Sequence, residues 1–173
     1  MHHRNAPTAV VIRVQEEAFQ EAQEAQRLRH ANTGAMVSFV GYVRDGDDAE
    51  RSLQSLTLEH YPGMTESAIA QMVDVAMGRF ELQQVTIIHR VGELLVGDPI
   101  VLVMVTSRHR RDAFEGCEFL MDYLKTQAPF WKKEAWSDGT ARWVDARESD
   151  DEALRRWGVD SNNAGSSVAN SGA

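Results

Sequence analysis

Residues 121–134 read Met-Asp-Tyr-Leu-Lys-Thr-Gln-Ala-Pro-Phe-Trp-Lys-Lys-Glu, and this stretch decides how the rest of the chain is arranged. Pro129 lacks an N–H and disfavours helical backbone at the residue before it, so the helix that carries Lys125 is expected to end near Gln127. The Phe-Trp pair after the proline should be buried and should fix the backbone that follows. The stretch therefore predicts an anion site at a junction between a helix and an extended segment.

The local charge supports an anion site. Residues 107–133 contain six Lys and Arg against four Asp and Glu, a net charge of +2. The whole chain has a net charge of −8, so the remaining residues carry −10. A positive island on an acidic protein favours a small anionic ligand or an acidic chain end. It argues against nucleic-acid binding, which normally requires a basic domain.

Length and composition indicate one globular domain. The chain has 173 residues, of which 43% are hydrophobic and 25% charged. We expect a single domain over 1–157 and a disordered tail over 158–173, where Ser, Asn, Gly and Ala dominate. The single cysteine excludes an internal disulfide. No apolar run approaches the roughly 20 residues of a membrane span, and the N-terminus has no apolar signal core, so a cytoplasmic location is expected.

Helix and strand patterns alternate in a way that predicts an α+β fold with a largely antiparallel sheet and three main helices. We expect the helices at 16–30, 65–79 and 112–125, with a short terminal helix at 147–157. We expect strands at 9–14, 35–43, 53–59, 84–89, 99–106, 131–136 and 140–145. The strand at 53–59 could form a hairpin with the preceding one, in which Gly41 hints at a bulge.

Each lysine of the central stretch has two interpretations. Lys125 can be a cation that stabilises a helix C-terminus by about 0.3–1 kcal/mol, or a member of the anion site. Lys132 and Lys133 usually form a solvated face. Neighbours in an extended segment point to opposite faces, so only one of these two can share a site with Lys125. Crowded cations and burial lower the pKa of a lysine, which makes it usable as a base or nucleophile.

The other candidates are weaker. His109 beside Arg110 forms a credible anion or proton-transfer pair. Cys117 lies on the apolar stripe of a predicted helix, which favours an inert buried thiol over a nucleophile. Spacing alone favours a plain surface charge for Arg44. His60 and His89 are interpreted as structural, because no spacing of possible ligands supports a metal site. Three tryptophans are expected in the core: Trp131, Trp136 and Trp143.

Six blocks of the sequence resemble the large, catalytic subunit of molybdopterin synthase, the MoaE family. The resemblance runs in order from about residue 33 to residue 148, and the lysine-rich block makes it specific. The blocks are Gly34–Arg44, Leu58–Met64, His89–Glu93, His109-Arg110, Met121–Glu134 and Trp143-Val144.

The resemblance implies an α/β-hammerhead-like α+β domain that transfers sulfur during molybdenum-cofactor synthesis. The implied substrate is cyclic pyranopterin monophosphate. The implied donor is a small ubiquitin-like subunit whose C-terminal Gly-Gly ends as a thiocarboxylate and enters a pocket of the large subunit. Two donors would act in turn to install the dithiolene. A homodimer of large subunits within a heterotetramer is implied. The resemblance implies no cofactor and no metal, and no binding to a membrane or to nucleic acid.

The resemblance also implies roles for individual residues. Lys125 matches the covalent or acid/base partner at the sulfur-transfer step, and Lys132 matches a residue that orients the substrate or the thiocarboxylate. The His109-Arg110 pair would come from the neighbouring protomer. The implied substrate-binding positions are Arg44, His109, Arg110, Lys133, Glu134, Tyr42 and Val43, and the pocket positions are Phe39 and Met121. The alternative is a non-catalytic module that binds an anion or a peptide C-terminus in the same basic pocket.

Overall fold

A computed structural model describes residues 10–144 and 148–158, and no side chains of 148–151. The helices are α1 (Glu21–Arg27), α2 (Met64–Arg79), α3 (Arg110–Gln127) and α4 (Glu148–Arg155). The strands are β1 (Val10–Gln15), β2 (Ala35–Tyr42), β3 (Leu53–His60), β4 (Leu82–Arg90), β5 (Gly92–Leu95), β6 (Pro99–Ser107), β7 (Phe130–Trp136) and β8 (Ala141–Val144). The disordered tail predicted at 158–173 lies outside the described residues, apart from Gly158.

The strands form two four-stranded sheets. Sheet A has the order β1-β4-β6-β2, and sheet B has the order β5-β3-β7-β8. Only the pair β1–β4 is parallel, and every other described pair is antiparallel. The α+β class and the largely antiparallel pairing predicted from sequence are confirmed, and β2 shows a register shift at Gly41.

The prediction that β2 and β3 could form a hairpin was wrong. β3 pairs with β5 and β7 in sheet B, whereas β2 lies at the edge of sheet A beside β6. Short sequence separation favours a hairpin, but the pattern of buried residues decides the partner. Leu56 and Leu58 pack with Leu94 and Trp136 in a separate apolar cluster, which requires β3 to join the second sheet.

Sheet A is covered on both faces. Helices α2 and α3 pack on one face in the largest apolar cluster, which includes Ile69, Phe119 and Val103. Gly116 lets α3 approach the sheet, because a Cβ there would lie 2.8 Å from the Leu82 side chain. On the other face, Leu28 at the end of α1 packs against alternate residues of β4 and β6. Such burial contributes about 25 cal/mol per Å² of apolar surface and makes sheet A the stable centre.

Helix α1 is shorter than the 16–30 expected from composition. Residues 15 and 16 stay bound to the end of β4 and the residue after it, because the Gln15 carbonyl accepts from the Val91 N–H and the Glu16 carbonyl accepts from Arg90 Nε. The helix therefore begins only at Glu21. It is fixed to β1 by an ion pair between the buried Glu24 and Arg13.

The prediction that three tryptophans lie in the core is confirmed for only one of them. Trp136 is buried in the sheet B cluster, but Trp131 and Trp143 are 48% and 52% exposed. Strand alternation explains the difference, since Trp131 and Trp143 project from the outer face of sheet B and Trp136 from the inner face.

Candidate functional site

Lys125 lies in the last turn of α3, as the sequence predicts. The helix ends at Gln127, and Ala128 is extended with φ −76 and ψ 126, as expected before a proline. The side chain is solvent-exposed while Leu124 beside it is buried. The last turn thus holds an ammonium group at the surface next to the core.

A cavity of about 620 Å³ lies between the edge strand β2 and α3, and Lys125 is part of its wall. The wall consists of Val37, Ser38 and Phe39 from β2, Ala153 from α4, and Phe114, Cys117, Glu118, Met121, Asp122 and Lys125 from α3. The structure therefore brings together three of the site residues implied by the family resemblance, namely Phe39, Met121 and Lys125. Tyr42, Val43, Arg44, His109, Arg110, Lys132, Lys133 and Glu134 are not part of this wall.

The apolar stripe of α3 divides into two faces. Leu120 and Leu124 point into the core, whereas Phe114 is 62% exposed on the cavity side. Phe39 across from it is also exposed. Contiguous exposed apolar surface beside a groove is typical of a binding site. The sequence did not reveal this cavity, because periodicity does not show which flank of a helix a sheet edge leaves open.

Cys117 also lies on this wall, but its thiol is buried. Burial, together with the smaller effect of the nearby Glu118 charge, raises the pKa of Cys117 to about 12. A thiol in this state is a poor nucleophile, because the thiolate is the reactive form. The buried position expected from the sequence is confirmed.

Lys132 and Lys133 point to opposite faces of β7. Lys132 pairs in register with the buried Leu58, and Lys133 pairs with Trp143. The Lys133 ammonium lies 5.9 Å from the Trp143 ring centroid, within cation–π range. Lys132 therefore lies on the inner face of sheet B, which packs towards sheet A, and Lys133 lies on the outer face.

His89 lies close to Lys132. Its ring stacks on Phe130 with centroids 3.8 Å apart, and its Nδ1–H donates to the Arg90 carbonyl at 2.8 Å. Burial, together with the smaller effect of the Lys132 and His60 charges, lowers the pKa of His89 to about 4. The imidazole is therefore neutral at physiological pH, which keeps a second positive charge away from Lys132.

Glu134 has an ion-pair partner that the sequence did not reveal. Arg142 on β8 is opposite Glu134 in register, and its Nε donates to Glu134 Oε2 at 3.3 Å. The pair follows Lys132 on the same face of β7, by strand alternation. Only the strand register could have shown that these two residues meet.

The end of β2 carries Tyr42, Val43 and Arg44 in different environments. Tyr42 and Arg44 are exposed, and Arg44 pairs with Asp47 at 3.0 Å. Val43 is 3% exposed, and its backbone N–H and carbonyl bond to Asp98 and Gly97. The side chain of Val43 therefore packs in the core.

His109 and Arg110 lie at the opposite end of α3 from Lys125. They are the N-cap and first residue of the helix, and both are exposed. Lys125 follows Arg110 by fifteen positions, which corresponds to roughly 22 Å along a helix. Within one chain these residues cannot contact one small ligand together with Lys125.

Two further observations concern the described residues alone. No group of three or more His, Cys, Asp and Glu in this part of the chain is arranged to hold a metal ion. Among the helices of the same part, none is both long and apolar enough to cross a membrane.

Taken together, fold and cavity define an α+β protein with a cationic helix end beside an apolar groove. The family model described as MoaE protein matches residues 14–127. A molybdopterin synthase catalytic subunit from Ralstonia nicotianae is 52% identical over 160 residues, covering 91% of this chain and 90% of its own length. The same subunit from Escherichia coli is 59% identical over 124 residues, covering 72% of this chain and 81% of its own.

A solved structure supports the same relationship. The molybdopterin biosynthesis MoaE protein from Burkholderia ambifaria superposes with a TM-score of 0.74 at 49% identity, covering 87% of this chain and 99% of its own. The chain belongs to the MoaE family, which confirms the resemblance found in the sequence.

Proposed function

We propose that this chain is the catalytic subunit of molybdopterin synthase. It accepts sulfur from the C-terminal thiocarboxylate of a small ubiquitin-like subunit and delivers it to cyclic pyranopterin monophosphate, which becomes the dithiolene of molybdopterin. Family membership supports the reaction, and one geometric observation carries the assignment of the site. Lys125 stands on the wall of an apolar cavity that is open along the edge of β2.

The cavity suits an extended chain end with a negative charge. Phe39, Phe114 and Met121 offer apolar surface to a flexible tail, and Lys125 offers an ammonium group to its terminus. A carboxylate or thiocarboxylate supplies the opposite charge. We therefore assign the cavity to the tail of the small subunit and Lys125 to contact with its terminal group, as a covalent or acid/base partner.

Lys132 is assigned to orient the reacting groups. Six residues separate it from Lys125, and the link between them is held on two sides. The Thr65 hydroxyl donates to the Pro129 carbonyl at 3.2 Å, and His89 stacks on Phe130. A fixed link holds the backbone positions of the two lysines in a constant relation, which favours the positioning of two reactants.

The remaining assigned residues call for a second protomer. His109 and Arg110 are too far from Lys125 within one chain, so they would contact substrate phosphate in the site of a neighbouring copy. Arg44, Tyr42, Lys133 and Glu134 complete the proposed substrate contacts. A homodimer within a heterotetramer follows from this arrangement, and the same proposal places the enzyme in the cytoplasm, which cell fractionation would check.

The test is product formation by Lys125→Ala, supplied with thiocarboxylated small subunit and the pterin substrate. We expect product formation to be lost while the far-ultraviolet circular dichroism spectrum is unchanged. Arg29→Ala is the matched control, because it removes an exposed cation that follows α1 on the opposite face of sheet A. Turnover of Lys125→Ala close to that of the control would contradict the assignment.

A non-catalytic module that binds a peptide C-terminus is the rival function. It predicts a stable complex with the thiocarboxylated subunit and no dithiolene after substrate is added. The chain contains only three lysines, at 125, 132 and 133, so peptide mass spectrometry can assign any covalent adduct to one of them without ambiguity. Sulfur incorporated into the pterin in the same mixture decides for the enzyme.

A further inference from the structure

The cavity wall carries two acids beside Lys125. Glu118, Asp122 and Lys125 are spaced four and three residues apart, so they share one flank of α3. Two carboxylates and one ammonium group give this flank a net negative charge. An incoming anionic chain end would therefore be repelled unless the acids are neutralised.

Arg156, just beyond α4, pairs with both acids. Its Nη2 lies 2.6 Å from Glu118 Oε1 and 3.0 Å from Asp122 Oδ2. Trp157 Nε1–H donates to the same Asp122 oxygen at 2.7 Å. The Asp122 side chain is only 17% exposed, so its charge is held close to these partners.

The segment that carries Arg156 is anchored to the core. Leu154 is fully buried, and the Trp157 ring makes an edge contact with Phe119 at 5.5 Å between centroids. The Trp157 carbonyl accepts from Arg79 Nη1 at 2.8 Å. Ala153 of the preceding helix forms part of the cavity wall itself. The guanidinium is thus held next to the acids by a packed element.

We propose that Arg156 is a specificity-determining residue of the cavity, which offsets one of the two negative charges of Glu118 and Asp122, brings the flank to a net charge of zero together with Lys125, and so lets the cavity accept an extended peptide that ends in a carboxylate or thiocarboxylate. This inference rests on the proposed function of the same cavity. With Arg156 in place, the two carboxylates and the two cations of this flank sum to zero, so the Lys125 ammonium can attract the chain end without a net repulsion from the flank. Without the guanidinium, the same apolar groove would favour a neutral or cationic chain end.

The experiment measures binding of the small subunit in its carboxylate form, which separates binding from sulfur transfer. Isothermal titration at low and high salt is applied to Arg156→Gln and Arg156→Glu. We expect Arg156→Gln to weaken binding roughly two- to fivefold, the range for exposed charge pairs, and Arg156→Glu to weaken it more. Both losses should shrink at high salt, because screening acts on exposed charges. Arg156→Lys should restore most of the affinity.

A second substitution separates electrostatics from structure. Glu118→Gln added to Arg156→Gln should recover affinity, because it removes an acid that the first change left unpaired. Arg155→Gln is the matched control, since this exposed arginine precedes Arg156 and has no contact with the two acids in the described structure. If Arg156→Glu does not fold, the test rests on Arg156→Gln alone and on Arg156→Gln combined with Glu118→Gln.

The outcomes are distinguishable. Unchanged affinity in a folded Arg156→Glu, or in Arg156→Gln where Arg156→Glu does not fold, overturns the inference. A loss of affinity in Arg156→Gln that is not recovered when Glu118→Gln is added also overturns the inference. In both cases the wild-type chain still binds the small subunit and forms product, so the proposed function stands. A wild-type chain that neither binds the small subunit nor forms product overturns the proposed function and this inference with it.

Discussion

The two sheets of the molecule differ in how much of their surface is buried. Sheet A has helices on both faces, and the middle of β4 and β6 is almost completely buried. Sheet B buries its inner face only, while Leu95, Trp131 and Trp143 are exposed on the outer face. Stability should therefore reside in sheet A and its helices. Sheet B can carry charged and aromatic residues that serve binding at little cost to folding.

The two assigned lysines fall on either side of this division. Lys125 ends a helix that packs on sheet A, and Lys132 lies in a strand of sheet B. The chain between them crosses from one region to the other at Pro129 and Phe130. Contacts from Thr65 and His89 fix this crossing, so the seam between the regions sets the spacing of the candidate site.

The largest expected effect tests the buried region. Phe119→Ala removes a fully buried ring of α3 that contacts Phe80, Tyr123 and Trp157. We expect a loss of about 3–5 kcal/mol in the free energy of unfolding, as for other large-to-small changes in cores. Urea unfolding followed by circular dichroism measures it. Phe114→Ala on the exposed flank of the same helix is the control and should cost far less.

The next effect concerns His89 at the seam between the two regions, where its protonation makes the free energy of unfolding depend on pH. An unfolded histidine binds its proton near pH 6.5, whereas His89 in the folded protein binds it only near pH 4. The unfolded state then holds more protons between these values, so His89 makes stability fall as pH drops from about 6.5 to about 4. The contribution is on the order of 3 kcal/mol, and it is fully present above pH 6.5.

His89→Phe checks this contribution. The new ring can still stack on Phe130 but cannot be protonated, so the free energy of unfolding should fall less steeply below pH 6.5 than in the wild-type chain. Urea unfolding at pH 7 and pH 5 measures both slopes, and His30→Phe at an exposed loop position is the control. Equal slopes in wild type and His89→Phe would contradict the buried neutral state of His89.

Thr65→Val tests the other side of the seam. The Thr65 hydroxyl accepts from the Tyr61 N–H and donates to the Pro129 carbonyl, and Thr65 is fully buried. Losing these bonds should cost about 1–3 kcal/mol, because the two backbone groups lose their partner. We also expect kcat to fall with little change in affinity for the small subunit, since the link between the lysines loosens. Thr65→Ser keeps the hydroxyl and should behave as wild type.

The sequence predicted the local elements well and their partners less well. Pro129 ends α3 where expected, and strand alternation separated Lys132 from Lys133 correctly, because both follow from local stereochemistry. The pairing of β3 was wrong, since nothing local shows that its leucines belong to a second apolar cluster. Element type is a local property of the sequence, whereas sheet membership depends on residues far away in the chain.

The candidate site shows the same limit. Lys125 was proposed from the local sequence and from the family resemblance, and Phe39 and Met121 from the resemblance alone. The structure places all three on one cavity. Arg142 and Arg156 were missed, because each meets its carboxylate only through strand register or through packing of α4 against α3. The helix predicted at 112–125 already separates His109 from Lys125, and α3 extends that helix to Arg110–Gln127.

The smallest effect is expected on the outer face of sheet B. Trp143→Ala should change the free energy of unfolding by less than about 1 kcal/mol, because half of the ring already faces water. Trp136→Ala on the inner face of the same sheet is the matched comparison, and it should cost about 3–5 kcal/mol. Urea unfolding of both variants measures the two losses in the free energy of unfolding. A Trp143→Ala loss as large as that of Trp136→Ala would mean that the outer face is covered in solution, and the contrast between the two sheets would no longer hold.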